Sequence, residues 1–279
     1  MKYFNTYYFC YLANNIVTTH DIDLAPLLSE FDTMLFQIEP ENFSKKSVLH
    51  MFCYWLVERY CYEGINSLEK DINNEIGDDI SQLDGILGEA NEVFYFRGFL
   101  NEDKYKFSII ELAIKHYEDY TVRLRDWIIE NKGKIEFDEI TNKYIEYLEE
   151  KNLYSNTIEK IVNEMVYVLY QNREFLLNFH TWLADMNDYT VKRVQPPKWV
   201  QRAAFHREKG RCVICNRDLS GLIDIEEDFE KHLDHIVPID IGGLNDFSNM
   251  QLMCKECNLK KHTESYTNTI YRFWYDLDE

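Results

Sequence analysis

At 279 residues, with 46% hydrophobic and 15% aromatic side chains, the chain carries enough apolar content to bury a core, which excludes a disordered or low-complexity polymer. Its formal net charge of −19 argues against a surface that coats nucleic acid, because phosphates repel it. No run of eighteen apolar residues occurs, so no transmembrane helix and no membrane role is expected.

Read in chain order, the first 190 residues are mostly helical. "MKYFNTYYFCYLANN" lacks a basic leader region and a small-residue cleavage site, and it is expected to form the first helix, over 5–18, rather than a signal peptide. A short helix is expected over 26–38. "KKSVLHMFCYWLVERYCYEG" places Val48, Phe52, Trp55, Leu56 and Tyr60 at helical spacing and predicts an amphipathic helix with a wide apolar face. "EVFYFRGFL" at 92–100 fits a strand or an aromatic helix, and both stay open. "YKFSIIELAIKHYEDYTVRLRDWIIENKG" predicts a helix ended by Gly133. "SNTIEKIVNEMVYVLYQNREFLLNFHTWLADMND" predicts another, with Ser155 and Glu159 at its start.

The texture breaks at "VKRVQPPKWV". Pro196 and Pro197 cannot continue a helix. Charge shifts at the same place: residues 191–279 hold 13 Lys and Arg against 15 Asp and Glu, net −2, leaving 17 against 34, net −17, for residues 1–190. Between Lys192 and Arg217 eight cationic residues face one acidic residue, Glu208. A local basic face on an acidic protein is therefore expected. The expected organisation is an acidic helical domain over 1–190, a basic Pro-containing linker over 191–204 and a small domain over 205–279, an α+β chain as a whole.

Seven cysteines are present. Cys10, Cys53 and Cys61 stand in apolar surroundings and read as small buried hydrophobes. Cys212, Cys215, Cys254 and Cys257 form two C-x-x-C pairs, which suit four thiolates on one structural Zn²⁺ at about 2.3 Å per bond. That usage fits a reducing compartment, most simply the cytoplasm.

Between the pairs lies a second polar set. Asp234 and His235 are adjacent, on a β-prone stretch where neighbours point to opposite faces unless the strand end twists. Asn249 follows in a glycine-bearing loop, and Asn258 stands directly after Cys257 in the first turn of an expected helix. A carboxylate from Asp234 and an amide oxygen from Asn258 suit Mg²⁺ or Mn²⁺. A neutral imidazole at His235 beside such an ion can take a proton from water.

"DHIVPIDIGGLNDFSNMQLMCKECNLKK" resembles the HNH endonuclease family, which has a ββα-metal fold. Asp234, His235, Ile236 and Pro238 match its opening, and Gly242 and Gly243 its loop. Asn249, Gln251, Leu252 and Cys254 match its third part, with Met250 in the usual leucine place, and Cys257, Asn258 and Lys261 match its end. Asn258 departs from the final H of the letters H-N-H, and the HNH domain of RNA-guided CRISPR nucleases also has Asn there. The resemblance covers residues 205–279. It implies that His235 is the general base, that Asp234 and Asn258 ligate one divalent cation at the scissile phosphate, and that Asn249 holds the loop and orients the imidazole. Lys260, Lys261, Arg202 and Arg207 are then the expected phosphate contacts of a DNA substrate, with Trp199 and Phe205 packing onto the zinc module.

The acidity of residues 1–190 points there to a protein partner, a second copy or a regulatory ligand. Helical domains fused to HNH modules resemble effectors of bacterial anti-phage defence and restriction. Two alternatives stay open. One is a catalytically inactive zinc-stabilised module that binds nucleic acid or protein. The other is a ribonuclease similar to the HEPN family, from Arg173 and His180 spaced as R-x6-H.

Overall fold

The computed structural model describes residues 1–18, 31, 33, 42–75, 108–131, 139–186, 191–221 and 231–271. The segments 92–100 and most of 26–38 lie outside the described residues, as does Gly133. Helices cover Thr6–Thr18 (α1), Val48–Glu75 (α2), Ile109–Glu118 (α3), Leu124–Glu130 (α4), Ile140–Glu150 (α5), Tyr154–Gln171 (α6), Arg173–Met186 (α7), Lys198–Arg207 (α8) and Lys255–Lys261 (α9). Strands Lys231–His235 (β1) and Met250–Cys254 (β2) pair antiparallel. Among the described residues, mostly helices with one small two-stranded sheet make an α+β protein.

Packing divides the chain into two units. The first is Met1–Thr6 with Cys53–Glu164, and the second is Tyr7–Phe52 with Met165–Glu279. α7 belongs to the second unit, with Phe175, Leu176, Phe179, His180, Trp182 and Leu183 buried.

In the first unit the segment 105–133 is two helices instead of one. Asp119 takes a left-handed φ of 55° and ends α3, and α4 starts after a polar stretch. Glu111 is fully buried there. Its carboxylate accepts from the backbone N–H of Ser108 and of Leu124 and from the Tyr144 hydroxyl, at 2.8 Å. Those donors offset part of the cost of burying the group. Tyr144 in turn packs with Trp127 and Tyr147, with ring centroids 5.3 and 6.1 Å away.

In the second unit Asn172 separates α6 from α7, its side chain accepting from Phe175 N at 3.1 Å as an N-cap does. Phe31, Phe52, Phe175, Phe179 and Trp182 form an aromatic core with ring centroids 5.2–5.9 Å apart. Pro197 begins α8 in extended backbone, so the expected linker 191–204 is extended only as far as residue 197. β2 is buried along its whole length, and its residues face β1 in the pairs Leu233↔Leu252, Asp234↔Gln251 and His235↔Met250.

The loop between the strands closes on itself. Gly243 N donates to Pro238 O at 2.9 Å. A Cβ on Gly243 would stand 2.0 Å from Val237 O, so no other residue fits. Gly242 has φ +94°, and a Cβ there would meet Ala184 O of α7 at 2.8 Å.

Candidate functional site

The cysteines meet first. Residues 210–219 form a knuckle closed by Cys212 N→Arg217 O (2.9 Å) and Leu219 N→Gly210 O (2.7 Å), with Asn216 in the left-handed region at φ 63°. Val213 N donates to Leu252 O at 2.9 Å and fastens the knuckle to β2. Cys254 ends β2, and Cys257 lies in the first turn of α9. The four sulfurs of Cys212, Cys215, Cys254 and Cys257 lie within 4.8 Å of one another, with Cys215 and Cys254 3.8 Å apart. A tetrahedron with metal–sulfur bonds of about 2.3 Å has edges of about 3.8 Å, so the set fits one metal ion. Burial pushes the Cys212 thiol up, but backbone N–H groups of Cys215, Cys254 and Ile214 outweigh it and hold the thiol below its ordinary value. Donors aimed at sulfur favour the thiolate a metal needs.

The second polar set gathers on β1. The Asp234 carboxylate is buried, with its Oδ2 2.9 Å from Lys261 Nζ and its Oδ1 3.7 Å from an Arg193 guanidinium nitrogen. Lys261 Nζ also donates to His235 O at 2.8 Å. A buried carboxylate is costly unless cations offset it, so this site is built to hold positive charge beside Asp234. Asn258 precedes Lys261 by one helical turn on α9.

His235 is 2% exposed. Burial, and then the Arg193 guanidinium, push its imidazole down to about 4, so it is neutral near pH 7. Its Nε2 lies 3.3 Å from Asn245 Oδ1. Asn249 does not touch the ring. Its amide accepts from Val237 N (2.9 Å) and donates to Val237 O (2.9 Å) and Leu244 O (3.0 Å), so it spans the loop and both of its N–H hydrogens are used there. The expectation that Asn249 orients the imidazole is corrected: the side chain that meets it is Asn245.

His235 also lines a cleft of about 750 Å³. Leu233, Met250 and Leu252 share that wall, and the extended segment 193–196 with Lys198, Arg202 and Phe205 of α8 forms the other. Arg202 and Lys260 are exposed. Arg207 and Lys261 are not, and their expected role as phosphate contacts does not hold. Arg207 is buried, bonded through Nε to Glu208 Oε1 (2.7 Å) and through a terminal nitrogen to Met250 O (2.6 Å), and it covers the Tyr170 ring at 4.7 Å. Lys261 is spent on Asp234 and His235, as described. Trp199 packs on Phe247 at 5.6 Å between centroids, and the Phe205 ring lies against Gly210.

Residues 212–264 match the family HNH endonuclease. The chain carries an HNH endonuclease domain. No curated protein and no solved structure matches the chain.

Packing within the second unit occupies the R-x6-H pair. Arg173 donates to Val213 O (3.5 Å) and Ile270 O (3.1 Å), pairs with Glu208 at 3.7 Å and lies over the Tyr271 ring at 4.3 Å. His180 is fully buried against Ser248. Neither is open to an RNA strand. Asn245 was missed in the sequence because it reads as one more polar residue in a turn. The hint available was its place in "GGLND", two residues past the glycine that folds the loop back toward β1.

Proposed function

We propose that the protein is a nuclease that hydrolyses DNA phosphodiester bonds with one divalent cation, and that a structural Zn²⁺ on Cys212, Cys215, Cys254 and Cys257 holds the domain together. The observation that carries this reading is His235 at the wall of a cleft bordered by Arg193, Lys198 and Arg202, next in sequence to the Asp234 carboxylate that Arg193 and Lys261 pair with.

His235 accepts the proton of the attacking water, and a neutral imidazole is the form able to do so. Asp234 and Asn258 are the residues to hold Mg²⁺ or Mn²⁺, which when bound stabilises charge on the scissile phosphate and on the leaving oxygen. Asn249 keeps the loop 237–244 closed beneath the base. Arg202 and Lys260 offer exposed cations for backbone phosphates, which position the strand without reading its sequence. The acidic helices of residues 1–190 are unsuited to DNA, and we assign them to a protein partner, a second copy or a regulatory signal. Control of that kind suits an effector of bacterial defence or restriction in the cytoplasm.

The test offers supercoiled plasmid and a single-stranded RNA of matched sequence to the full chain with Mg²⁺, with Mn²⁺ and with EDTA. The reading expects plasmid nicking with either ion, none in EDTA and intact RNA. RNA cleavage with intact plasmid would overturn it.

A further inference from the structure

One buried side chain joins three separate parts of the second unit. Asn245 is 4% exposed. Its Nδ2 donates to Lys192 O and to Asn42 Oδ1, both at 2.7 Å. Its Oδ1 accepts from Val194 N at 3.4 Å and faces His235 Nε2 at 3.3 Å. Its backbone oxygen accepts from Phe43 N at 2.7 Å. A single amide therefore touches the basic extended segment 192–194, the segment 42–43 and the imidazole.

The backbone partners fix which way round this amide stands. A peptide carbonyl only accepts, so the group beside Lys192 O must be the NH₂. A peptide N–H only donates, so the group beside Val194 N must be the oxygen. The imidazole thus meets an acceptor, and Nε2 must carry the hydrogen. The proton-free nitrogen is Nδ1. This orientation does not depend on how an asparagine flip is assigned, because two main-chain groups dictate it.

We propose that Asn245 is a positioning residue: it clamps the basic segment at Lys192 and Val194, and with the same oxygen it locks His235 as the Nε2–H tautomer, leaving Nδ1 as the base. The proposal deepens the nuclease reading, on which its catalytic part rests. Arg193 lies between the two clamped residues and beside Asp234, so a phosphate drawing on Arg193 pulls on the same amide that orients the base. Seating the basic segment and orienting the imidazole are one event. Tautomer-fixing partners of this kind are worth about 10–100-fold in activity in metal sites.

The test uses the full chain labelled with ¹⁵N-histidine, with the His235 signals assigned by difference against His235→Gln. The wild type is expected to show a protonated Nε2 and a bare Nδ1. Asn245→Ala is expected to bring the two shifts toward each other, to lower kcat for plasmid nicking about 10–100-fold with KM within about twofold, and to speed tryptic cleavage at Lys192 and Arg193. Asn245→Asp keeps the oxygen and loses the NH₂, so it is expected to retain the tautomer while releasing the segment to trypsin. A wild-type His235 protonated on Nδ1 overturns the proposal without any variant having to fold. So does an Asn245→Ala protein with wild-type shifts and wild-type kcat. If the wild type nicks nothing, the nuclease reading falls, and the ¹⁵N shifts and the trypsin rates still decide the clamp.

Discussion

His180 Nε2 lies 2.8 Å from Ser248 Oγ, and Ser248 in turn gives its hydroxyl hydrogen to Asp246 Oδ1 at 2.6 Å. Asp246 Oδ2 accepts from Val48 N at the start of α2. This buried chain of three polar side chains ties α7 and α2 to the turn that precedes β2. It explains the histidine of the R-x6-H spacing as a packing element of the second unit.

The chain makes acid lability specific. Burial, then His235 and Arg207, push the His180 imidazole down to about 3. That lies below the unfolded value of about 6.5. As pH falls, the unfolded chain takes the proton first, so the contribution of His180 is full above about pH 6.5 and drains away toward about pH 3. Relative to His180→Asn, which cannot titrate, the wild type should lose about 1.4 kcal/mol per pH unit between about pH 6 and pH 4. Urea midpoints of both proteins at three pH values measure it, and a constant difference between them refutes the buried neutral imidazole.

The cysteine tetrad should contain one tightly held zinc. Elemental analysis of the purified chain is expected to give one zinc per chain, and Co²⁺ substitution the absorption of a four-thiolate site. Cys254→Ser should lose both and unfold the second unit, because binding energy of about 10–16 kcal/mol is folding energy in a small zinc module. A Cys254→Ser protein that keeps zinc and its melting temperature would remove the centre.

Two arginines of one basic run should behave in opposite ways. Arg202 is exposed on α8 beside the cleft, so Arg202→Ala should weaken DNA binding and lower the salt slope by about 1, with stability unchanged. Arg207 neutralises Glu208 and satisfies Met250 O inside the fold. Arg207→Ala should cost about 3–5 kcal/mol, as the loss of one partner of a buried pair does. Binding isotherms at several salt concentrations and denaturant melts separate the two.

Gly243→Ala should be among the most damaging single-methyl additions in the HNH domain. The added carbon would stand 2.0 Å from Val237 O and 2.7 Å from Pro238 O, so the loop held by Asn249 must open. At Gly221, with φ +72° and nothing within 4 Å, the penalty is conformational only, about 1 kcal/mol. A denaturant melt in which Gly243→Ala costs no more than Gly221→Ala would contradict the packing described.

Much of the site was legible because its chemistry sits in rare letters at fixed spacing. The four cysteines, the Asp234–His235 pair and the Gly242–Gly243 turn each demand a particular residue, and the pattern survives without knowledge of the surroundings. What the sequence hid was direction. Arg207 and Lys261 read as surface cations, since nothing in a basic run says which member turns inward to meet Glu208 or Asp234. Asn245 and Asn249 are the same letter in the same loop, and only their partners separate them. The breaks at Asp119 and Asn172 were hidden because apolar periodicity runs on through both. A left-handed residue ends one helix, and a side-chain cap starts another.

The most direct measurement compares the wild type with His235→Ala on supercoiled plasmid, in Mn²⁺ and in EDTA, with melting temperature and zinc content recorded for both. Metal-dependent nicking by the wild type and a loss of about 10²–10⁴-fold in the variant are expected, with fold and zinc retained. A His235→Ala protein that nicks at the wild-type rate would contradict His235 as the base.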